Sequence, residues 1–118
     1  MNSHKSGKSG EKLAENYLIN KGYKFIARNF RAHPGEVDLI FIDGTDLVFI
    51  EVKSWKYLSF CDLEYSIDRR KQWRIISVSK VFMSDNWNRY KNFNARYDVV
   101  FIDRHDNVTH CIGVFGEY

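Results

Sequence analysis

Two apolar runs of strand length, Ile40-Phe41-Ile42 and Leu47-Val48-Phe49-Ile50, flank Asp43-Gly44-Thr45-Asp46. Apolar runs around a Gly-containing turn predict a β-hairpin. Its outer ends carry Gly35-Glu36-Val37-Asp38-Leu39 and Glu51-Val52-Lys53. Two registers are open. A Gly44-Thr45 loop faces Asp43 with Asp46 and brings Asp38 opposite Glu51; an Asp43-Gly44 loop brings Glu36 opposite Glu51 instead. In either, alternation of side chains puts Glu36, Asp38, Glu51 and Lys53 on one face. Carboxylates facing each other across strands repel, and a divalent cation would reverse that local charge logic.

Composition sets the frame for this hairpin. With 118 residues, 44% hydrophobic and 16% aromatic, the chain reads as one folded domain over 1–118, its first eight residues flexible. No apolar run reaches membrane-spanning length and the polar start is unlike a signal peptide, which points to the cytoplasm and away from membranes. Cys61 and Cys111 lack zinc or paired spacing and read as free thiols. Gly7-Lys8-Ser9 fails as a phosphate-binding loop, because Asn2 stands where its first Gly belongs and no strand precedes it.

A net charge of +3 is unevenly spread. Residues 1–35 hold seven Lys/Arg against two acids, and residues 69–80 hold Arg69, Arg70, Lys71, Arg74 and Lys80 with no acid. Basic segments beside a carboxylate site suit a polyanion, although a solvated mixed surface would carry the same charges.

Along the chain, Leu13, Ala14, Tyr17 and Leu18 form a helical stripe over Ser9 to Lys21, with Gly22 as its stop. Glu11 and Glu15 border that stripe. Tyr23 to Asn29 predicts a strand and Phe30 to Gly35 a basic loop, where His33 reads as solvated. Strands buried on both faces, hence central, follow at the hairpin. Trp55 to Phe60 is an aromatic irregular stretch, and Asp62 to Ile67 a short helical turn. Asp68 caps a helix from Arg69 to Ser84. Two rows, Trp73-Ile76-Lys80 and Ile75-Val78-Phe82, form its packed side, and its basic first turn opposes the helix dipole. Asp85 to Ala95 predicts an Asn-rich loop whose Trp87, Tyr90 and Phe93 pack over the core or stack on bases. Tyr97 to Ile102 and Asn107 to Phe115 make a final strand pair. The expected order is α-β-β-β-α-β-β, an α/β domain with a mixed central sheet flanked by helices.

Phosphodiester hydrolysis needs a divalent metal, an activated water and positive charge near the phosphate. Mg²⁺ takes oxygen ligands, commonly one or two carboxylates with waters. Asp38 and Glu51 would supply these and the Val52 carbonyl a third oxygen, while Lys53 orients water or stabilises phosphate charge. Glu36 is either a fourth polar member or a solvated strand-start residue.

The run Gly35-Glu36-Val37-Asp38-Leu39-Ile40 with Leu47-Val48-Phe49-Ile50-Glu51-Val52-Lys53 resembles the core of the PD-(D/E)XK nuclease superfamily. It is most similar to the YraN-like proteins, themselves similar to archaeal Holliday-junction resolvases. Gly10-Glu11, Ala14-Glu15, Tyr17-Leu18, Gly22-Tyr23, Arg28-Asn29, Lys71-Gln72 and Arg96-Tyr97-Asp98-Val99-Val100 extend the resemblance over most of the chain. It implies a restriction-endonuclease-like fold, Asp38 and Glu51 as Mg²⁺ (or Mn²⁺) ligands, Lys53 as catalytic lysine, and Glu11 as a further site acid. Lys71 and Arg96 could each serve either DNA contact or structural support. Ser54-Trp55 departs from the pattern, since an Arg is usual there. The resulting expectation is a Mg²⁺-dependent endonuclease on DNA, branched DNA included. Arg28, Arg31, Arg69, Arg70, Lys71 and Arg74 would meet phosphates, and two-strand cutting would favour a homodimer. The alternative is a nucleic-acid-binding protein that retains the fold without cutting.

Overall fold

The computed structural model describes residues 3–54 and 67–116, with side chains from residue 9. Helix α1 (Ser3–Asn20) is followed by strands β1 (Lys24–Ala32), β2 (Gly35–Asp43) and β3 (Asp46–Ser54). Helix α2 (Arg69–Asp85), a single-turn helix α3 (Trp87–Tyr90), and strands β4 (Asn94–Ile102) and β5 (Val108–Phe115) complete the chain. The five strands form one sheet in the order β1-β2-β3-β4-β5. All pairs are antiparallel except β3 with β4, where the intervening helices provide the crossover that parallel strands require. This is the mixed α/β arrangement anticipated from the sequence.

Local chemistry explains the boundaries. At the end of α1 the Tyr23 amide bonds the Leu18 carbonyl and the Gly22 amide bonds that of Ile19. Gly22 has φ 97°; together these make a Schellman stop, which needs a left-handed residue. Asp68 caps α2 by accepting from the Lys71 amide at 2.8 Å, satisfying an otherwise orphaned N–H. The hairpin loop is Gly44-Thr45, with Asp43 facing Asp46 and Leu39 facing Ile50. Of the two open registers, the first is therefore adopted.

Other expectations need adjusting. The helix starts at Ser3 rather than Ser9, so part of the polar start is helical. Strand β1 continues through Phe30, Arg31 and Ala32, which were assigned to a loop; pairing with Gly35 to Val37 holds them extended. Of the two rows on α2, Ile75, Val78 and Phe82 are buried, whereas Trp73 is 61% exposed and Lys80 lies at the surface. The Asn-rich loop contains α3. Within it Tyr90 is buried and stacks on Phe82, Phe93 packs edge-on to Tyr90, and Trp87 stays exposed. The stretch Trp55 to Phe60, Cys61 and most of the turn at Asp62 to Ile67 lie outside the described residues.

Each sheet face carries an apolar cluster. Ile40, Leu47, Phe49, Tyr97, Val99 and Phe101 pack against α2 residues Ile75, Val78 and Phe82. Leu39, Phe41, Val48, Ile50, Val100 and Ile102 pack against Ala14 and Leu18 of α1. Strands β2 and β3 contribute to both clusters, as expected of central strands. Among the described residues, no helix is long and apolar enough to cross a membrane.

Candidate metal and nucleic-acid site

The ladder between β2 and β3 ends at Leu39–Ile50, which places Asp38 beside Glu51 where the strands part. The Asp38 carboxylate takes over a ladder role there, its Oδ2 accepting from the Val52 amide at 2.8 Å. Alternation is interrupted at this point. Val37 and Ile40, three apart, join the same apolar cluster. On β1, Asn29 lies between the pairs Arg28–Leu39 and Phe30–Val37, hence facing Asp38, and has φ 53°. Asn tolerates this left-handed conformation better than most residues. The irregularity changes the single-face expectation for the four charged residues. Glu36 turns to Arg31, whose Nε donates to it at 3.2 Å, while β3 keeps regular alternation and holds Glu51 and Lys53 on the α2 side.

Glu51 is buried. The Lys71 Nζ lies 2.8 Å from its Oε1. The Lys71 ammonium also acts on Asp38, at longer range than on Glu51. Burial, reinforced by the charge of Glu51 and then those of Glu11 and Glu36, pushes the Asp38 carboxyl up to about 8, against the opposing Val52 hydrogen bond. Burial disfavours the Lys71 ammonium, but its hydrogen bond to Glu51 and the charges of Glu51 and Asp38 prevail and raise its affinity for the proton. Asp38, with its raised proton affinity, and the neighbouring Glu51 carboxylate form an electron-rich oxygen site.

Glu11 approaches from α1, accepting from Asn29 Nδ2 at 3.3 Å, and is close enough to act on Asp38 electrostatically. With Lys12, Glu15, Arg28, Asn29 and Leu39 it lines a cavity of about 240 Å³. Glu15, one turn on, is buried and neutralised: Arg28 Nε and Nη2 donate to it at 3.0 and 3.3 Å, and Lys12 lies at 3.4 Å. The Arg28 hydrogen bond, with its charge, outweighs burial and holds Glu15 below the ordinary carboxylate range.

The residues nominated from sequence thus separate into groups. Asp38, Glu51 and Glu11 converge, Lys53 follows on the same face of β3 as Glu51, and Val52 enters through its amide. Arg28 and Arg31 are engaged with Glu15 and Glu36. Arg69, Arg70 and Arg74 are exposed on α2, and the Arg74 stem lies against Gly35, where an added Cβ would meet it at 3.4 Å. Lys71, nominated for phosphate, sits instead on Glu51. Helical spacing carried that signal, since Lys71, Ile75, Val78 and Phe82 fall at i, i+4, i+7 and i+11 on the packed side.

A second polar cluster, unforeseen apart from Arg96, occupies the opposite sheet face. Fully buried Asp98 accepts from Arg96 Nε and Nη2 at 3.0 and 2.9 Å and from the Gly113 amide at 2.9 Å. His110 Nε2 is 2.7 Å away. The Lys21 ammonium lies 2.9 Å from His110 Nδ1; as a donor-only group it makes Nδ1 the acceptor and leaves Nε2 to donate to Asp98. Arg96 also donates to Asp43 at 2.7 Å, Asp46 at 3.0 Å and the Tyr23 hydroxyl at 3.0 Å. Its guanidinium donors are thereby committed to structural support rather than to a ligand.

Residues 10–102 match the model of a family described as uncharacterised protein family UPF0102. The chain belongs to that family. A UPF0102 protein of Caldicellulosiruptor bescii is 39% identical over 111 residues, covering 92% of both chains. Another, from Caldanaerobacter subterraneus subsp. tengcongensis, is 33% identical over 100 residues, covering 85% of this chain and 80% of the relative. A third, from Treponema denticola, is 32% identical over 124 residues, covering 94% and 95%. The UPF0102 match begins at Gly10 and ends at Ile102, so it spans Glu11, Asp38, Glu51, Lys53 and Lys71.

Proposed function

We propose that this UPF0102 protein is a Mg²⁺-dependent DNA endonuclease of the PD-(D/E)XK type, with branched DNA among its substrates. The observation that carries the reading is the carboxylate pair at the parting of β2 and β3, half-buried Asp38 beside buried Glu51. Asp38 is pushed up to about 8 by burial and by Glu51, a burden that a bound cation would relieve. Among the described residues, no three His, Cys, Asp or Glu form a ready-made metal cage. The two carboxylates of Asp38 and Glu51 suit Mg²⁺ or Mn²⁺, which accept two carboxylates and fill the shell with water and substrate oxygens, better than zinc.

Asp38 and Glu51 would hold the cation. When bound, it would make a water nucleophilic near neutral pH and polarise the phosphate. The chain's own residues do the rest. Lys53 donates to the phosphate or orients the attacking water; Glu11 is placed to receive a proton across the cavity it lines; Arg69, Arg70 and Arg74 hold flanking phosphates. Cytoplasmic location and a homodimer that cuts two strands belong to the same proposal.

The test is cleavage of linear, flapped and four-way DNA with Mg²⁺ or Mn²⁺, beside Asp38→Ala and Lys53→Ala. Loss of cutting in both variants is expected, by at least about 100-fold. Equal activity in all three proteins would overturn the reading. Ser54-Trp55, in place of the usual Arg, favours a second reading in which the protein binds nucleic acid without cutting. That reading predicts binding that weakens steeply with salt and no metal-dependent product.

A further inference from the structure

We infer that Lys71 is the resident counter-ion of the metal site: it holds Glu51 while no cation is bound and releases it when one arrives. The inference rests on the metal-binding reading above, and assigns Lys71 a positioning role that its place in a basic helix does not suggest. Three observations combine. The Lys71 Nζ is 2.8 Å from Glu51 Oε1, and the Glu51 side chain is only 7% exposed against 41% for Lys71. The ammonium is also close enough to interact with Asp38, so its charge serves both carboxylates. And the α2 backbone at this residue is fixed, the Lys71 amide bonding the Asp68 cap and Ile75, Val78 and Phe82 lying buried beneath the helix.

These facts divide the site into a part that stays and a part that moves. A buried carboxylate left without a partner is strongly unfavourable, so Glu51 needs a cation at all times. A lysine supplies that cation on a flexible four-carbon stem, and this stem reaches solvent. Its head can therefore withdraw without disturbing the helix. A divalent ion on Asp38 and Glu51 replaces the ammonium and adds a charge that one lysine cannot provide. The withdrawn ammonium stays beside Arg74, at i+3 of the helix and already close enough to act on Lys71, where a substrate phosphate can receive it.

The experiment is calorimetric titration of Mn²⁺ into wild type, Lys71→Met and, as a control for general loss of positive charge, Arg74→Met. Mn²⁺ should bind Lys71→Met on the order of tenfold more tightly than wild type, with Arg74→Met close to wild type. Lys71→Arg, which keeps the charge, should not show the gain. Mn²⁺ should also raise the melting temperature of Lys71→Met more than that of wild type, since only the variant lacks a cation at Glu51. Equal Mn²⁺ affinity in Lys71→Met and Arg74→Met would overturn the inference while leaving the metal site standing. Absence of binding to folded wild type would overturn the metal site and the inference together. Should Lys71→Met not fold, wild type alone decides. The Cε resonance of Lys71, followed by NMR during Mg²⁺ titration, should shift with saturation, and a resonance indifferent to Mg²⁺ overturns the exchange.

Discussion

Asp98, fully buried, and Asp38, half-buried, are acids of the same sheet, yet their surroundings have opposite effects. Burial alone would push Asp98 up, but His110, the Arg96 guanidinium and the Gly113 amide outweigh it and hold the carboxyl below its ordinary range. Asp38 is pushed up to about 8 by burial and by the charge of Glu51, with smaller contributions from Glu11 and Glu36, against the Val52 amide hydrogen bond. The first arrangement is electrostatically complete: every oxygen of Asp98 is engaged, and the surplus guanidinium charge is spent on Asp43 and Asp46 at the hairpin tip. In the second, the Lys71 ammonium is shared between Glu51 and Asp38 and leaves negative charge in excess. A fold that can satisfy a buried acid so fully on one face, and leaves acids crowded on the other, marks the crowded face as the one that awaits a ligand.

The largest expected effect concerns the complete cluster. Asp98→Ala strands Arg96, His110 and the Gly113 amide, and should lower unfolding free energy by about 3–5 kcal/mol in urea titration. A loss below about 1 kcal/mol would show that the network is ornamental and weaken the contrast. Saturating Mn²⁺ should leave that loss unchanged.

Next comes the incomplete cluster, with the opposite sign. A carboxyl whose folded value lies above its unfolded one stabilises the protein fully below the unfolded value, and that stability is lost as pH rises through the folded value. Metal-free wild type should therefore lose stability between about pH 4 and about 8 through Asp38. Asp38→Asn, which still accepts from the Val52 amide, should flatten this slope and be more stable than wild type at pH 8.5. The expected gain is at least about 1.4 kcal/mol, the worth of one pKa unit. Thermal melts across pH would settle the sign; a variant less stable than wild type at pH 8.5 contradicts the account.

Glu15 gives the smallest effect, because it is already paired. Its carboxyl is held low by Arg28, so its contribution is present above the unfolded value and lost on acidification. Arg28 is well exposed and solvent screens the pair, so Glu15→Gln should lower stability by about 0.5 kcal/mol at pH 7, with the difference vanishing near pH 3. A change above about 2 kcal/mol would place Glu15 among the essential acids rather than the neutralised ones.

Much of this was legible in the chain itself. Periodicity, Gly22 and Asp68 located the long helices, and the Gly-containing turn gave the hairpin with its two admissible registers. What failed did so for physical reasons. Phe30 to Ala32 look like loop because Arg and Pro-Gly surround them, but backbone pairing with β2 does not depend on side-chain polarity. Strict alternation put Glu36 with Asp38, whereas left-handed Asn29 and the parting of β2 from β3 break the alternation there. For Lys71 both DNA contact and structural support are open from the sequence, and the ion pair with Glu51 appears only when the helical phase of α2 is set against β3. Asp98 and His110 come together only through the pairing of β4 with β5, a long-range event that leaves no local spacing to detect. The site acids were thus visible early, and the cations that answer them, or fail to, needed the fold.

The central claim is that Asp38 and Glu51 form a deficit of positive charge that a divalent cation fills. Calorimetric titration of Mn²⁺ into wild type and Asp38→Asn tests it most directly. The account predicts saturable binding in wild type and its loss in Asp38→Asn, although that variant is the more stable protein at alkaline pH. Equal binding to both proteins, or none to folded wild type, would contradict it.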